Sequence, residues 1–177
     1  MTNVPQSLLK KVERALESLG ADTKVTLNRG LPLYQDAHEL VVAHVSDSGR
    51  EHLLIPDAAT SWAAMRDQAS LDDVRLVMIS GFRSFEKQLS LLRDRVQSGT
   101  VEDVLTVLAP PGCSEHHTGR AVDIGTPGCD PLSESFERTQ AFAWLTSHAM
   151  DYGFSLSYPK NNEYGFLYEP WHWCFKA

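Results

Sequence analysis

Residues 109–125 read APPGCSEHHTGRAVDIG, and the fold turns on how this stretch divides. Its proline and glycine content predicts a loop over 109–120. AVDIG, 121–125, reads as a short strand. A loop that turns back at Gly119 can bring the side chains of His116 and Asp123 together. Histidine nitrogen and aspartate oxygen are both good zinc donors. Two ligands make a weak site, so a third has to come from elsewhere. His172 is the best candidate, because Glu169 precedes it by three residues in YEPWHWCF, 168–175.

That second stretch supports two readings on local spacing alone. One is a buried aromatic strand that closes the fold, with an exposed glutamate beside a core histidine. The other makes Glu169 and His172 a working pair. A catalytic zinc keeps three protein ligands and one open position for water, whose pKa the metal lowers towards ~7. A carboxylate that binds water rather than metal takes that proton and hands it to a leaving amine. Pro170 restricts Glu169 to an extended backbone, and Trp171 can wall off solvent. Desolvation would raise the pKa of Glu169 into the range of a base working near neutrality. His38, His44, His52 and His148 stand alone and read as surface or satisfied core residues. His117 is not expected as a ligand, since neighbours on an extended loop point apart.

Working outward, residues 6–19 have the apolar spacing of an amphipathic helix, with Gly20 as its stop. Residues 23–55 are mixed. ELVVAHV and HLLI read as strands around a DSG turn. A helix follows Pro56 and places Ala59, Trp62, Ala63 and Met65 near one face. VRLVMIS, 74–80, reads as a buried central strand. A helix over 84–98 is N-capped by Ser84, and a shorter one covers 101–108. RTQAFAWLTSHAMDYG, 138–153, reads as a helix ending at Gly153. Short strands are expected around 154–156, 165–168 and 171–175. These elements make one α+β domain over 1–177, with helices early and a small, mainly antiparallel sheet carrying the later loops.

The totals bound what this domain does. At 177 residues it can bury a core without staples. A formal net charge of −7 argues against nucleic acid or an anionic membrane as the main partner. Cys113, Cys129 and Cys174 have no paired spacing, which fits reduced thiols and not a disulfide framework. SLLKKVERALESLG carries charge throughout and lacks the apolar region of a signal peptide. No stretch approaches the ~18 apolar residues of a membrane span. These features set the expectation of a cytoplasmic protein.

SGFRSFEKQ (80–88), SEHHTGRAVD (114–123), LSYP (156–159) and YEPWHW (168–173) together resemble the VanY-type D-alanyl-D-alanine carboxypeptidases. These zinc peptidases share a metal-site fold with lysostaphin-like enzymes and Hedgehog signalling domains. The likeness runs from about residue 50 to the end and fades over 1–50. It implies N-terminal helices packed on a small, mainly antiparallel sheet with a mononuclear zinc site, one Zn2+ per chain. It implies His116, Asp123 and His172 as metal ligands and Glu169 as general base. Arg83 would grip the substrate's terminal carboxylate, a task suited to a bidentate, permanently charged group. Ser114 would help hold the substrate backbone, with Gln88 and Tyr158 as further contacts. The sequence departs from the family pattern at Phe82, where tyrosine is frequent, and at Ser157 and Cys174, where arginine is frequent.

The resemblance implies removal of a terminal D-alanine from peptidoglycan stem peptides, with muropeptides as partners. Two cuts compete: D,D cleavage of pentapeptides, and L,D cleavage of tetrapeptides. A cytoplasmic enzyme meets recycled fragments, and trimming those is useful where destroying pentapeptide precursors is not. L,D cleavage in recycling is therefore the expectation. A non-catalytic peptide-binding module would usually have lost Glu169. An endopeptidase would not need the carboxylate clamp of Arg83.

Overall fold

The computed structural model describes residues 6–176, so the expected 1–177 span takes in residues outside that range. Helix α1, Gln6–Ser18, buries Val12, Ala15 and Leu16. It stops as expected: Gly20 has a φ of 75°, and the Ala21 N–H returns to the Leu16 carbonyl. A short helix α2, Thr23–Leu27, follows in the mixed region. Strands β1, Val41–Val45, and β2, Glu51–Leu54, form the expected antiparallel hairpin. Helix α3, Pro56–Leu71, begins with proline in its first turn and buries Ala58, Trp62, Met65 and Ala69. Those positions follow the helical repeat, so Ala58 and Ala69 complete the buried face; the expected Ala59 packs against it partly buried, and Ala63 is not among the buried residues.

Strand β3 is only Val77–Ser80. Helix α4, Phe85–Val96, carries the predicted cap, in which Ser84 Oγ accepts from the Lys87 N–H at 3.2 Å. Helix α5, Val101–Val107, precedes the loop into strand β4, Ala121–Gly125, whose residues are all buried. Helix α6, Gln140–His148, continues as a tighter 3₁₀ turn over Ala149–Tyr152 and ends at Gly153, φ 75°. Strands β5, Phe154–Leu156, and β6, His172–Phe175, complete the chain.

The main sheet has the order β3–β4–β6–β5, and each pairing is antiparallel. This corrects the expectation for 74–80: β3 is an edge strand, and β4 and β6 are central. Of β3 only Met78 is buried, and an apolar, β-branched run does not record the number of paired neighbours. The expected strand at 165–168 is absent as well. There the Leu167 N–H donates to the Thr106 carbonyl on α5, and the Asn162 side chain bonds both backbone groups of Phe166. These backbone groups are satisfied without a ladder.

Two apolar clusters surround the sheet. One joins α3, the sheet and α6 through Trp62, Met65, Ile124, Leu145, Phe154 and Phe175. The other joins α1, α4 and α5 through Leu16, Phe85, Leu89, Leu92 and Leu105. No helix among the described residues is long and apolar enough to cross a membrane.

The pairing register places the chemistry. Ser80 on β3 opposes Asp123 on β4, and Asp123 opposes His172 on β6. A bulge between Met78 and Ser80 resets the edge strand just before that row.

Candidate metal centre and substrate cleft

His116, Asp123 and His172 are buried and offer ligand atoms within 4.8 Å of one another. His116 is delivered by a 3₁₀ turn, Glu115–Thr118, which ends on Gly119 at φ 64°. A Cβ at Gly119 would lie 2.9 Å from Leu40 Cδ2 and 3.2 Å from the Ile55 nitrogen. The turn can therefore sit against the start of α3 only because that position is glycine. His116 donates from Nδ1 to the Gly81 carbonyl at 2.7 Å, leaving Nε2 to face Asp123 Oδ2 at 3.2 Å. His172 Nδ1 lies 3.1 Å from Asp123 Oδ1, and its Nε2 lies 3.0 Å from Glu115 Oε2. The outer nitrogen of each ring is thus engaged, and the inner nitrogens converge with the carboxylate. A His–His–Asp set so arranged fits a zinc ion. Burial disfavours charge on Asp123, but the His116 and His172 contacts outweigh it and hold its carboxyl well below the usual range.

Glu169 and His172 are joined by a tight turn: the His172 N–H donates to the Glu169 carbonyl at 3.0 Å, with Pro170 at its second position. The Glu169 carboxylate sits 3.8 Å from His172 Nδ1 and is buried. The exposed-glutamate alternative is therefore excluded. Burial, more than any neighbour, pushes its pKa up to about 7.

Arg83 lies just past β3 with its guanidinium mostly buried. Nη1 donates to Gln88 Oε1 at 2.9 Å and Nη2 to Ser80 Oγ at 3.2 Å; Nη2 is also 3.8 Å from Asp123 Oδ2. Gln88 in turn donates to the Ala109 carbonyl at 2.7 Å. Gln88 is almost fully buried, so its described contacts aim Arg83. Ser114 caps the 3₁₀ turn, its Oγ accepting from the His116 N–H at 3.4 Å. The Tyr158 ring packs 4.7 Å from that of His172, and burial raises the pKa of its phenol. The expected residues share one cleft of about 240 Å³, whose mouth adds Val107, Leu132 and Trp171. A larger cleft of about 700 Å³ lies along the outer side of β3 and holds His44, His52 and Arg66. None of the expected site residues lines it, so size does not locate the chemistry here.

His117 points away from the ligands, as expected, although it stands on a 3₁₀ turn and not an extended loop. Its Nε2 accepts from the Gly112 N–H at 3.0 Å and its Nδ1 donates to the Arg83 carbonyl at 2.6 Å. The segment before β1 braces the same loop. The Tyr34 N–H donates to the Gly112 carbonyl and the Ala37 N–H to the His117 carbonyl, at 2.7 and 2.8 Å. Asp36 accepts from the Phe85 N–H at the start of α4.

Glu115 was missed by the sequence reading. It is buried, and its carboxylate accepts from His172, Ser157 and Lys176. Burial opposes its charge, but His172, Lys176 and Ser157 together hold its pKa well below the usual range. The signal available was an acidic residue adjoining a candidate ligand histidine; its partners lie 42 to 61 positions away. Two of the departures from the family pattern also find a place. Ser157 bonds Glu115, and Cys174 is buried opposite Ala121 and Ser155 in the sheet. Burial pushes the Cys174 thiol up to about 12.

A family model described as VanY, D-alanyl-D-alanine carboxypeptidase, matches residues 51–177. The chain is similar to YodJ of Bacillus subtilis, with 33% identity over 149 residues covering 80% of this chain. It spans only about half of that relative, 55% of its length. Among solved structures it is similar to the LdcB LD-carboxypeptidase, with a TM-score of 0.72 and 32% identity over 81% of this chain and 71% of that one. It is also similar to a glutamate-to-alanine mutant of the vancomycin resistance D,D-pentapeptidase VanY in complex with Zn(II). There the TM-score is 0.65 and the identity 26%, over 82% of this chain and 83% of that one.

Proposed function

The chain belongs to the VanY family of D-alanyl-D-alanine carboxypeptidases, and on that premise we propose that it is a zinc carboxypeptidase releasing terminal D-alanine from peptidoglycan stem peptides. The observation that carries the proposal is the convergence of His116, Asp123 and His172 within 4.8 Å, beside a buried carboxylate and a mostly buried guanidinium.

His116 Nε2, an Asp123 oxygen and His172 Nδ1 would hold the ion, which would supply Lewis acidity to the scissile carbonyl and to a water. Glu169 takes a proton from the attacking water as its oxygen adds to the carbonyl carbon. It returns the proton to the amide nitrogen as the C–N bond breaks, releasing the free amine of D-alanine. Arg83 holds the terminal carboxylate with two parallel N–H donors, while Gln88 and Ser80 keep its plane fixed. Ser114 lies at the cleft wall beside the peptide backbone. Tyr158 packs on His172 and, with Trp171, limits water around Glu169.

The proposed cut is L,D, on tetrapeptides, and the proposed setting is recycling of wall fragments in the cytoplasm. Likeness to the LdcB LD-carboxypeptidase supports the stereochemistry; likeness to the D,D-pentapeptidase VanY favours D,D cleavage as the second reading. Zinc-loaded protein incubated with tetrapeptide and pentapeptide muropeptides, and read by mass spectrometry, separates them. Loss of alanine from the tetrapeptide is expected; loss from the pentapeptide alone would exclude the L,D assignment. Cell fractionation tests the setting.

A further inference from the structure

We propose that Glu115 is a positioning residue for the metal centre, holding the Nε2–H of His172 so that Nδ1 presents its lone pair to the ion. The inference rests on the zinc reading above and extends it to a residue with no assigned role.

Two observations carry it. Glu115 Oε2 lies 3.0 Å from His172 Nε2 on the side of the ring facing away from Asp123 and His116. A carboxylate can only accept, so the shared hydrogen belongs to Nε2, and Nδ1 is left unprotonated in a metal-bound ring. A carboxylate at the outer nitrogen also makes the imidazole a stronger donor to the metal. The second observation is how completely Glu115 is itself held. Lys176 Nζ lies 2.6 Å from Oε1, and Ser157 donates to Oε2. The carboxylate cannot leave His172 without giving up the bonds to Ser157 and Lys176 as well. Glu115 also precedes His116 in the chain, so one turn supplies the first ligand and orients the third.

The rival account is an ion pair between buried Glu115 and exposed Lys176 that merely ties the C-terminal strand to the turn. Zinc affinity of the full chain, measured by competition with a chromophoric chelator, tells the two apart. Glu115→Ala is expected to weaken zinc binding about 10- to 100-fold. Glu115→Gln keeps an acceptor without the charge and is expected to lose less, about three- to tenfold. Lys176→Met removes the ion pair and keeps the His172 contact, and is expected to stay within about threefold of wild type.

A ring-nitrogen NMR spectrum of zinc-loaded protein supplies a readout that a purely structural role would not move. His172 should show a protonated Nε2 whose proton shifts upfield in Glu115→Gln. Unchanged zinc affinity in Glu115→Gln and Glu115→Ala overturns the assignment. So does a Lys176→Met loss as large as that of Glu115→Ala, or a protonated Nδ1 in the wild-type ring. If Glu115→Ala fails to fold, Glu115→Gln and the NMR spectrum decide. Wild-type protein that takes up no zinc overturns the function reading itself, a result distinct from all of these.

Discussion

His117 and Arg83 are locked together through the main chain. The imidazole donates to the Arg83 carbonyl at 2.6 Å, and the Arg83 N–H donates to the neighbouring His116 carbonyl at 3.1 Å. The loop that bears His116, a candidate metal ligand, and Arg83, proposed for the substrate carboxylate, are therefore held together. Replacing His117 by alanine strands the Gly112 N–H and the Arg83 carbonyl in a buried setting. We expect a loss of about 1–3 kcal/mol in stability, read by urea denaturation, with zinc still bound.

Arg83 presents a planar fork held by Gln88 and Ser80. Lysine keeps the charge and loses the fork. Arg83→Lys is expected to lower kcat/KM about 10- to 100-fold, the weight of a charge-assisted hydrogen bond. The diagnostic comparison is a substrate with an amidated C-terminus. Wild type should strongly prefer the free acid, and the variant should lose most of that preference. An unaltered preference would remove Arg83 from the carboxylate site.

Gln88→Leu is the milder version of the same experiment. It frees one arm of the guanidinium and orphans the Ala109 carbonyl. The expected outcome is a KM raised about tenfold with kcat little changed, measured by steady-state release of D-alanine. A change confined to kcat would argue that Gln88 does something other than aim Arg83.

Glu169→Gln leaves the shape of the cleft and removes the proton acceptor. Turnover should fall about 10²- to 10⁴-fold, while zinc content by elemental analysis stays at the wild-type level. Persistent turnover would exclude Glu169 as the base.

Chelation should abolish turnover and added zinc should restore it. The ion should also stabilise the fold, because its ligands come from a turn and two strands distant in sequence. At a free zinc concentration 100 times the dissociation constant the expected gain is about 2.7 kcal/mol. Calorimetry with and without zinc reads it directly.

Much of this was legible in the sequence, for reasons that differ by element. The α1 stop at Gly20, the Ser84 cap and the β1–β2 turn are local chemistry, and local chemistry carries over. His116 and Asp123 could be paired from their types and spacing, and they do converge with His172. What stayed hidden depended on partners far along the chain. Val77–Ser80 is an edge strand because of where the chain runs next, not because of its side chains. Residues 165–168 find backbone partners on α5 and within their own loop. Glu115 needed Lys176 and Ser157 before its burial made sense. The segment 34–37 showed no motif because it braces the ligand loop largely through its own N–H groups, which any residue but proline supplies.

The row Ser80–Asp123–His172 across three strands has a consequence for folding itself. A slip of one residue between β4 and β6 would turn Asp123 or His172 to the opposite face of the sheet. A chain that closed in the wrong alignment would then lack a complete ligand set and could not be rewarded by the ion. At the proposed zinc site, ion capture would double as a proofreading step, drawing the ensemble towards the one strand alignment that brings His116, Asp123 and His172 together.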